Sequence, residues 1–175
     1  DFYNIVLKEI EIIKSKKPKI FKNINSIIFS GQMAGALGVD EDFNVIFPWV
    51  FTINSRINKY LNLIEKKFGP TIREKSGCVP YMAAIIKLIE SEEKESFRRI
   101  KKFINLNTFV GAKLCNLHSK DSFIDYSLFN YSGLADVKNN KWNEDLCKEL
   151  KINIEQLPKV VKPYEIIGFI NKHVF

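Results

Sequence analysis

The amino-acid sequence predicts an α/β domain in which helices flank a mixed sheet. Short apolar runs rich in β-branched and aromatic residues indicate strands, as in Ile27–Phe29 and in parts of the extended C-terminal stretch 157–170. Elsewhere apolar residues recur with helical spacing, most regularly in 53–68 and 82–89. Strands that alternate with helices along one chain favour the α/β class.

The length and composition are typical of a globular domain. With 175 residues and 46% hydrophobic content, the chain is expected to form one domain or a large part of one. It begins with Asp1 rather than methionine, so we expect a longer native chain. It contains neither a signal peptide nor a charge-free apolar run of the roughly 18 residues that a membrane helix needs, so a soluble, cytoplasmic protein is expected.

Cysteine and histidine usage bears on metal and redox chemistry. Cys78, Cys115 and Cys147 are odd in number and widely spaced, which argues against a disulfide framework and for reducing conditions. Only His118 and His173 accompany them, and none of these residues has metal-ligand spacing. No metal site is predicted.

The net charge of +7 suggests nucleic acid as one candidate partner. The basic residues are dispersed, however, and acidic residues interrupt them, as in "ESEEKESFRRIKK". This pattern is typical of solvated helix faces, so nucleic-acid binding is kept only as the weakest of three hypotheses.

The stretch from Ile24 to Gly38 is expected to organise the chain. An amphipathic helix over the first sixteen residues ends before Pro18 and leads to a buried strand over 25–30. Gly31 and Gly35 follow, and glycine permits positive φ or a close approach to a ligand. Because ligands bind beyond the carboxyl ends of strands in open α/β sheets, Gln32–Gly35 is a candidate substrate loop. A plain glycine turn is the alternative.

Nucleotide-binding loops are excluded at this position. The glycine spacing is not G-x-G-x-x-G, and no Gly-Lys-Ser/Thr follows. The chain continues instead as a predicted hairpin, in which Val39 and 45–47 flank an acidic turn, 40–44.

The remaining elements follow from apolar spacing. A second helix begins near Ile53 and closes at Gly69-Pro70, before a loop over 71–80. Further helices are predicted around 82–89, 97–100 and 109–114, with a short strand over 103–106, and Asn143 is a predicted helix cap. The predicted core comprises Ile27, Ile28, Phe29, Ile57, Leu61, Ile64, Ile86 and Ile89.

The residues alone give no catalytic constellation. Ser30 has no neighbouring histidine, and "FSGQM" is not the G-x-S-x-G elbow of a hydrolase. Asp40, Glu41 and Asp42 are interpreted as turn residues. The sequence by itself therefore indicates an α/β domain with a polar pocket.

The order of four segments adds a family resemblance. "IIFSGQMAGALGVDEDFNVIFPWVFTINSR" runs from a strand through an S-G-Q-M loop to a segment like P-x-x-x-W-x-D-x-R. "FRRIKKFINLNTFVGAKLCN", "DYSLFNYSGLADVKNNKWNEDL" and "LKINIEQLPKVVKPYEIIGFI" follow in order. Together these segments resemble the FGGY family of carbohydrate kinases, especially its xylulokinase-like branch.

The resemblance implies a ribonuclease H-like fold of the actin/hexokinase ATPase type. Residues 1–175 would be part of the first of two domains, without the upstream D-x-G-T-[ST] phosphate-loop strands and the downstream G-G-x-D segment with the catalytic Asp. It implies an ATP-dependent sugar or polyol kinase whose ATP and Mg²⁺ bind mainly outside this chain. No catalytic residue lies within the chain, the fragment alone is expected to be inactive, and a homodimer is left open.

The resemblance also implies a set of substrate-binding residues. Alternatives remain for two of them: Arg56 would form a structural ion pair, and Tyr81 would lie in the core. The full set is Gln32, Met33, Ala34, Thr52, Asn54, Arg56 and Tyr81.

This sequence departs from the family pattern at three of these positions. Ala34 stands where the family has histidine, Thr52 where it has tryptophan, and Asn54 where it has aspartate, whereas Arg56 is kept. These replacements support a second hypothesis, a non-catalytic sugar-binding or interaction protein on the same fold.

Overall fold

The structure is a computed structural model that describes residues 2–171. Helices pack around three small sheets. The helices are α1 (Phe2–Lys16), α2 (Pro18–Phe21), α3 (Asn58–Lys75), α4 (Tyr81–Glu92), α5 (Lys94–Arg99), α6 (Leu106–Leu114), α7 (Tyr126–Phe129) and α8 (Glu144–Glu149). The strands are β1 (Gly35–Val39), β2 (Val45–Phe51), β3 (Lys102–Ile104), β4 (Phe123–Asp125), β5 (Ala135–Asp136), β6 (Lys141–Trp142) and β7 (Lys159–Val161).

The largest sheet has the strand order β2-β1-β3 and is antiparallel throughout. Gly35 lies opposite Phe51, and Val39 lies opposite Val45. Strands β4 and β7 pair in parallel, and β5 and β6 pair antiparallel. The predicted α/β class is confirmed, but the two pairing modes occur in separate small sheets rather than in one mixed sheet.

The predicted hairpin with an acidic turn is confirmed as β1–β2. The Asp40 carboxylate accepts hydrogen bonds from the backbone N–H groups of Asp42 and Asn44, at 3.0 Å and 2.9 Å. Slight burial raises the pKa of Asp40, but the hydrogen bonds from Asn44 and Asp42 outweigh this effect and hold the pKa below its ordinary value. The carboxylate thereby adds to the backbone hydrogen bonds of the turn, in which the Asp40 N–H donates to the Asn44 carbonyl and the Phe43 N–H donates to the Asp40 carbonyl.

Helix α3 differs from its prediction at both ends. Ile53 lies outside the helix, and the chain remains helical through Gly69-Pro70 to Lys75, so the predicted end was wrong. Pro70 costs one backbone hydrogen bond, roughly 3 kcal/mol in a helix interior. Ile72, two residues beyond Pro70, is fully buried and contributes about 1.5–3 kcal/mol. Pro70 itself is exposed, and the helix continues past it.

Two apolar clusters lie on opposite faces of the main sheet. Side chains alternate along a strand, so Ala36 joins one cluster and Leu37 the other. The larger cluster contains the inner faces of α3 and α4, and the smaller contains Ile10 of α1 and the inner face of α6. The helical part of the predicted core is confirmed, since four of its members are buried and one is partly buried: Ile57, Ile64, Ile86, Ile89 and, partly, Leu61.

The predicted strand over 25–30 is wrong. The segment is not paired, Ile28 is 85% exposed, and Ile27 and Phe29 are only partly buried. No backbone hydrogen bond joins residues 25–34 to another residue within 2–171. A strand is completed only by a neighbour that supplies its hydrogen bonds, and both sides of β1 are already occupied by β2 and β3.

The unpaired segment faces a second extended segment near the other end of the chain. Residues 24–29 and 161–170 line a cavity of about 550 Å³, which we call the terminal groove. Large apolar side chains along it are exposed: Tyr164 by 80%, Ile166 by 79% and Phe169 by 86%. None of the helices within 2–171 combines the length and apolar character needed to cross a membrane.

Candidate functional site

The open end of the hairpin brings together most of the predicted substrate-binding residues. Because Gly35 pairs with Phe51, the chain enters β1 and leaves β2 at the same end, opposite the acidic turn. Ala34 and Thr52, the residues next to this pair, therefore lie at the same end of the hairpin, and Gln32, Met33, Ile53 and Asn54 continue from them. We call these six residues the hairpin mouth.

A sharp backbone turn at Ala34 and Gly35 sets the direction of the loop that carries Gln32 and Met33. Ala34 has φ +51° and Gly35 has φ +155°, both in regions that L side chains rarely adopt. A Cβ atom on Gly35 would lie 2.5 Å from the Trp49 ring atom Cη2 and 2.8 Å from the Val50 carbonyl oxygen. Glycine is thus required here, and the ring of Trp49 sits directly against the turn.

The second glycine of the loop is explained by a different contact. A Cβ atom on Gly31 would clash with the side-chain amide of Asn107, which lies in the first turn of α6. The sequence predicted that Gly31 and Gly35 permit either positive φ or a close approach to a ligand, and Gly35 does have a positive φ. In the structure each of them is met by a side chain of the protein itself.

The hairpin mouth offers hydrogen-bonding groups and apolar surface together. Gln32 is exposed, and the backbone of its loop makes no hydrogen bond with another residue of 2–171. Met33 is 51% exposed and Ile53 is 85% exposed. An amide side chain, free backbone groups and adjacent apolar side chains are the groups that bind a polyhydroxyl molecule.

Asn54 and Arg56 have structural partners. The Asn54 side-chain oxygen accepts from the Arg56 backbone N–H at 3.0 Å and caps a single 3₁₀ turn, Ser55–Ile57. The Arg56 guanidinium donates to Glu92 and to Glu93, each at 2.9 Å. The ion-pair alternative for Arg56 is therefore what the structure shows.

Glu92 also accepts a hydrogen bond from the Tyr60 hydroxyl at 2.9 Å. The hydrogen bonds from Arg56 and then Tyr60 lower the pKa of Glu92, so its carboxylate stays ionised across the physiological range. These contacts tie the exit of the hairpin to the C-terminal end of α4.

Tyr81 lies apart from this cluster. It begins α4, whereas Glu92 ends it, and eleven residues of helix separate the two by about 16 Å. Tyr81 is partly buried and packs against the larger apolar cluster. The structure thus does not bring it together with Arg56.

Two residues beside the loop escaped sequence reasoning, Trp49 and Asn107. Trp49 lies on β2 three positions before Thr52, the position to which the family resemblance directs attention. Asn107 follows the helix cap Asn105 by two residues and belongs to no spaced motif. The sequence of the loop alone does not indicate that Trp49 contacts Gly35 or that Asn107 contacts Gly31.

The residues of the hairpin mouth do not fit a magnesium ion. The hairpin mouth contains no carboxylate, which Mg²⁺ prefers as a protein ligand. Within 2–171 there is no group of three or more His, Cys, Asp or Glu side chains that could hold a metal. Burial raises the pKa of the Cys147 thiol to about 11, with a smaller effect from Glu144, so this thiol is not a nucleophile.

Comparison with known proteins places these features in a family. Residues 2–175 match the N-terminal domain of the FGGY family of carbohydrate kinases. The chain is 27% identical to the gluconokinase of Bacillus subtilis (strain 168), over 83% of this chain and 28% of that protein. It is 21% identical to the xylulose kinase of Staphylococcus xylosus, over 87% of this chain and 32% of that protein.

Solved structures share the fold. A ligand-bound xylulose kinase from Lactobacillus acidophilus superposes with a TM-score of 0.83 and 21% identity, covering 98% of this chain and 35% of that one. The chain spans about a third of the length of these relatives, between 28% and 35%. The ribonuclease H-like fold class predicted from the sequence is confirmed by this likeness.

Proposed function

Because the chain belongs to the FGGY family of carbohydrate kinases, we propose that its parent protein transfers the γ-phosphoryl group of ATP to a hydroxyl of a sugar or polyol. The hairpin mouth carries the proposal. It combines an exposed amide, unpaired backbone groups and apolar side chains on one end of the hairpin. A cytoplasmic location, where ATP is available, is part of the proposal.

Five of the six residues of the hairpin mouth have a proposed role. Gln32 holds carbohydrate hydroxyls through its amide, and Met33 and Ala34 contribute backbone groups and an apolar face. Thr52 and Asn54 add polar contacts from the opposite side. Since alanine is smaller than the histidine of the family pattern, we propose a pocket that is wider at Ala34 and depends more on backbone groups.

Arg56 is proposed to brace this pocket rather than to bind the substrate. Its guanidinium is engaged by Glu92 and Glu93, which fixes the segment that follows Asn54 to α4. Tyr81 is proposed to support the helix from within the core. Of the seven residues implied by the resemblance, five would then contact the carbohydrate and two would support them.

The catalytic groups are proposed to lie outside these residues. Residues 1–175 would form part of the first domain, and a carboxylate elsewhere in the parent would accept the proton of the attacking hydroxyl. ATP and Mg²⁺ supply the phosphoryl group and neutralise its charge. We propose that the terminal groove is covered in the parent by the phosphate-loop strands, which would bury Ile28 and Phe169.

A non-catalytic carbohydrate-binding protein is the second candidate. The replacements at Ala34, Thr52 and Asn54 favour it, because they remove a histidine, a tryptophan and an aspartate from the family pattern. Such a protein would bind the carbohydrate without turning it over.

A screen of the full-length parent for ADP release distinguishes the two. Pentuloses, hexuloses, polyols and gluconate would each be offered with ATP and Mg²⁺, and binding would be measured in parallel by calorimetry. We expect ADP release with at least one compound. Binding without ADP release would support the second candidate, and neither binding nor release would contradict both.

A further inference from the structure

The indole N–H of Trp49 is buried and has no hydrogen-bond partner within residues 2–171. The second tryptophan differs in this respect, since Trp142 donates its indole N–H to the Pro158 carbonyl at 2.8 Å. Few buried donors remain unpaired in native proteins, because burial removes water without replacing its hydrogen bond. The orphaned donor of Trp49 therefore requires a physical explanation.

The Trp49 ring lies next to the turn that carries the candidate substrate loop. Trp49 packs at the edge of the smaller apolar cluster, and its six-membered ring lies against Gly35 in the space that a Cβ would fill. Gly35 and Ala34 form the turn that leads from the loop into β1. Trp49 thus supports the turn that carries Gln32 and Met33.

The loop that continues from this joint has unused acceptors. None of the backbone carbonyls of residues 31–34 receives a hydrogen bond from another residue of 2–171. An orphaned donor thus lies beside a turn whose adjoining loop has free acceptors.

We propose that Trp49 is a positioning residue for the carbohydrate loop. Its ring supports the turn at Gly35, and its N–H donates to a carbonyl of residues 31–34 when the loop closes on a carbohydrate. The hydrogen bond exists only in the bound state, so it contributes to carbohydrate affinity and not to the turnover step. This inference rests on the proposed function of the hairpin mouth.

Two matched substitutions in the full-length parent test the inference. Trp49→Phe keeps an aromatic ring and removes the orphaned N–H, whereas Trp142→Phe removes an N–H that is already paired. For Trp49→Phe we expect the KM for the carbohydrate to rise about three- to tenfold with kcat unchanged. Its unfolding midpoint should fall less than that of Trp142→Phe, because both variants lose the same ring atoms but only Trp142→Phe loses a hydrogen bond that is already formed.

The control should show the larger loss of stability and no loss of carbohydrate affinity. Trp142→Phe should lower the unfolding midpoint and leave KM unchanged. If Trp49→Phe lowers the midpoint as much as Trp142→Phe does, the N–H has a partner before binding and the inference is overturned. An active native parent whose KM is unaffected by Trp49→Phe contradicts the inference alone. A native parent that phosphorylates no carbohydrate contradicts the proposed function and the inference with it.

Discussion

Helix α4 and the segment 25–30 have similar apolar sequences but differ in burial. Both were predicted to be buried, and both contain consecutive isoleucines. In α4, Ile85 and Ile86 are almost completely buried, whereas Ile28 in the other segment is 85% exposed. The difference lies in where each segment finds its hydrogen bonds.

A helix satisfies most of its backbone within itself. Once α4 forms, its apolar face needs only something to pack against, and α3 and β1 provide it. A strand must instead receive its hydrogen bonds from a neighbour, which may lie far away in sequence. Apolar composition thus predicts burial reliably for a helix, but for a strand only when the partner strand is also present.

The largest expected effect is a truncation of matched isoleucines in these two regions. Ile86→Ala should lower the free energy of unfolding of the 175-residue chain by about 2–5 kcal/mol, because it leaves a cavity in the core. Ile28→Ala, the same chemical change, should alter it by less than about 0.5 kcal/mol. Urea unfolding followed by circular dichroism measures both, and equal losses would show that the segment 25–30 is packed like α4.

The next largest effect on stability is expected at Gly35, where the exposed segment enters β1. Gly35→Ala should destabilise the chain by about 2–3 kcal/mol, because its φ of +155° is strained for alanine and the added Cβ meets Trp49. Gly77→Ala is the control, since Gly77 also has a positive φ, +71°, but has open space around it. It should cost about 1 kcal/mol. If Gly77→Ala proved the costlier change, the contact between Gly35 and Trp49 would be in doubt.

These cases show which features a sequence reveals. The hairpin was predictable because Asp40 and its neighbours have turn chemistry between two apolar runs. The loop residues Gln32 to Ala34 were proposed as substrate-binding from the glycines around them and from resemblance to a family motif, and their role stays a prediction. The contacts of Trp49 and Asn107 with the loop were not predictable, because they depend on which strand and helix pack against it. Helix α3 continues beyond Pro70 because the burial of Ile72 offsets the backbone hydrogen bond that proline cannot form.

A smaller effect is expected at the far end of the hairpin. Asp40→Ala should lower stability at neutral pH by about 1 kcal/mol, because the turn N–H groups of Asp42 and Asn44 lose their acceptor. The pKa of Asp40 is lowered in the folded state, so its contribution is present above the ordinary aspartate pKa. It should disappear as the pH falls through the lowered pKa. The difference between native and variant unfolding midpoints should therefore shrink as the pH falls. A difference that grew in acid would contradict a lowered pKa of Asp40 in the folded state.

The most direct test of the account places a large side chain in the hairpin mouth of the full-length parent. Ala34→Phe fills the space that the smaller residue leaves, and Glu41→Phe adds the same ring at the opposite, exposed end of the hairpin. The account predicts that Ala34→Phe raises the KM for the carbohydrate at least about tenfold or abolishes turnover. Its unfolding midpoint should remain close to that of Glu41→Phe, whose KM should be native. An Ala34→Phe parent that keeps its native KM, or that unfolds instead of losing carbohydrate affinity, would contradict the claim that the hairpin mouth binds the substrate.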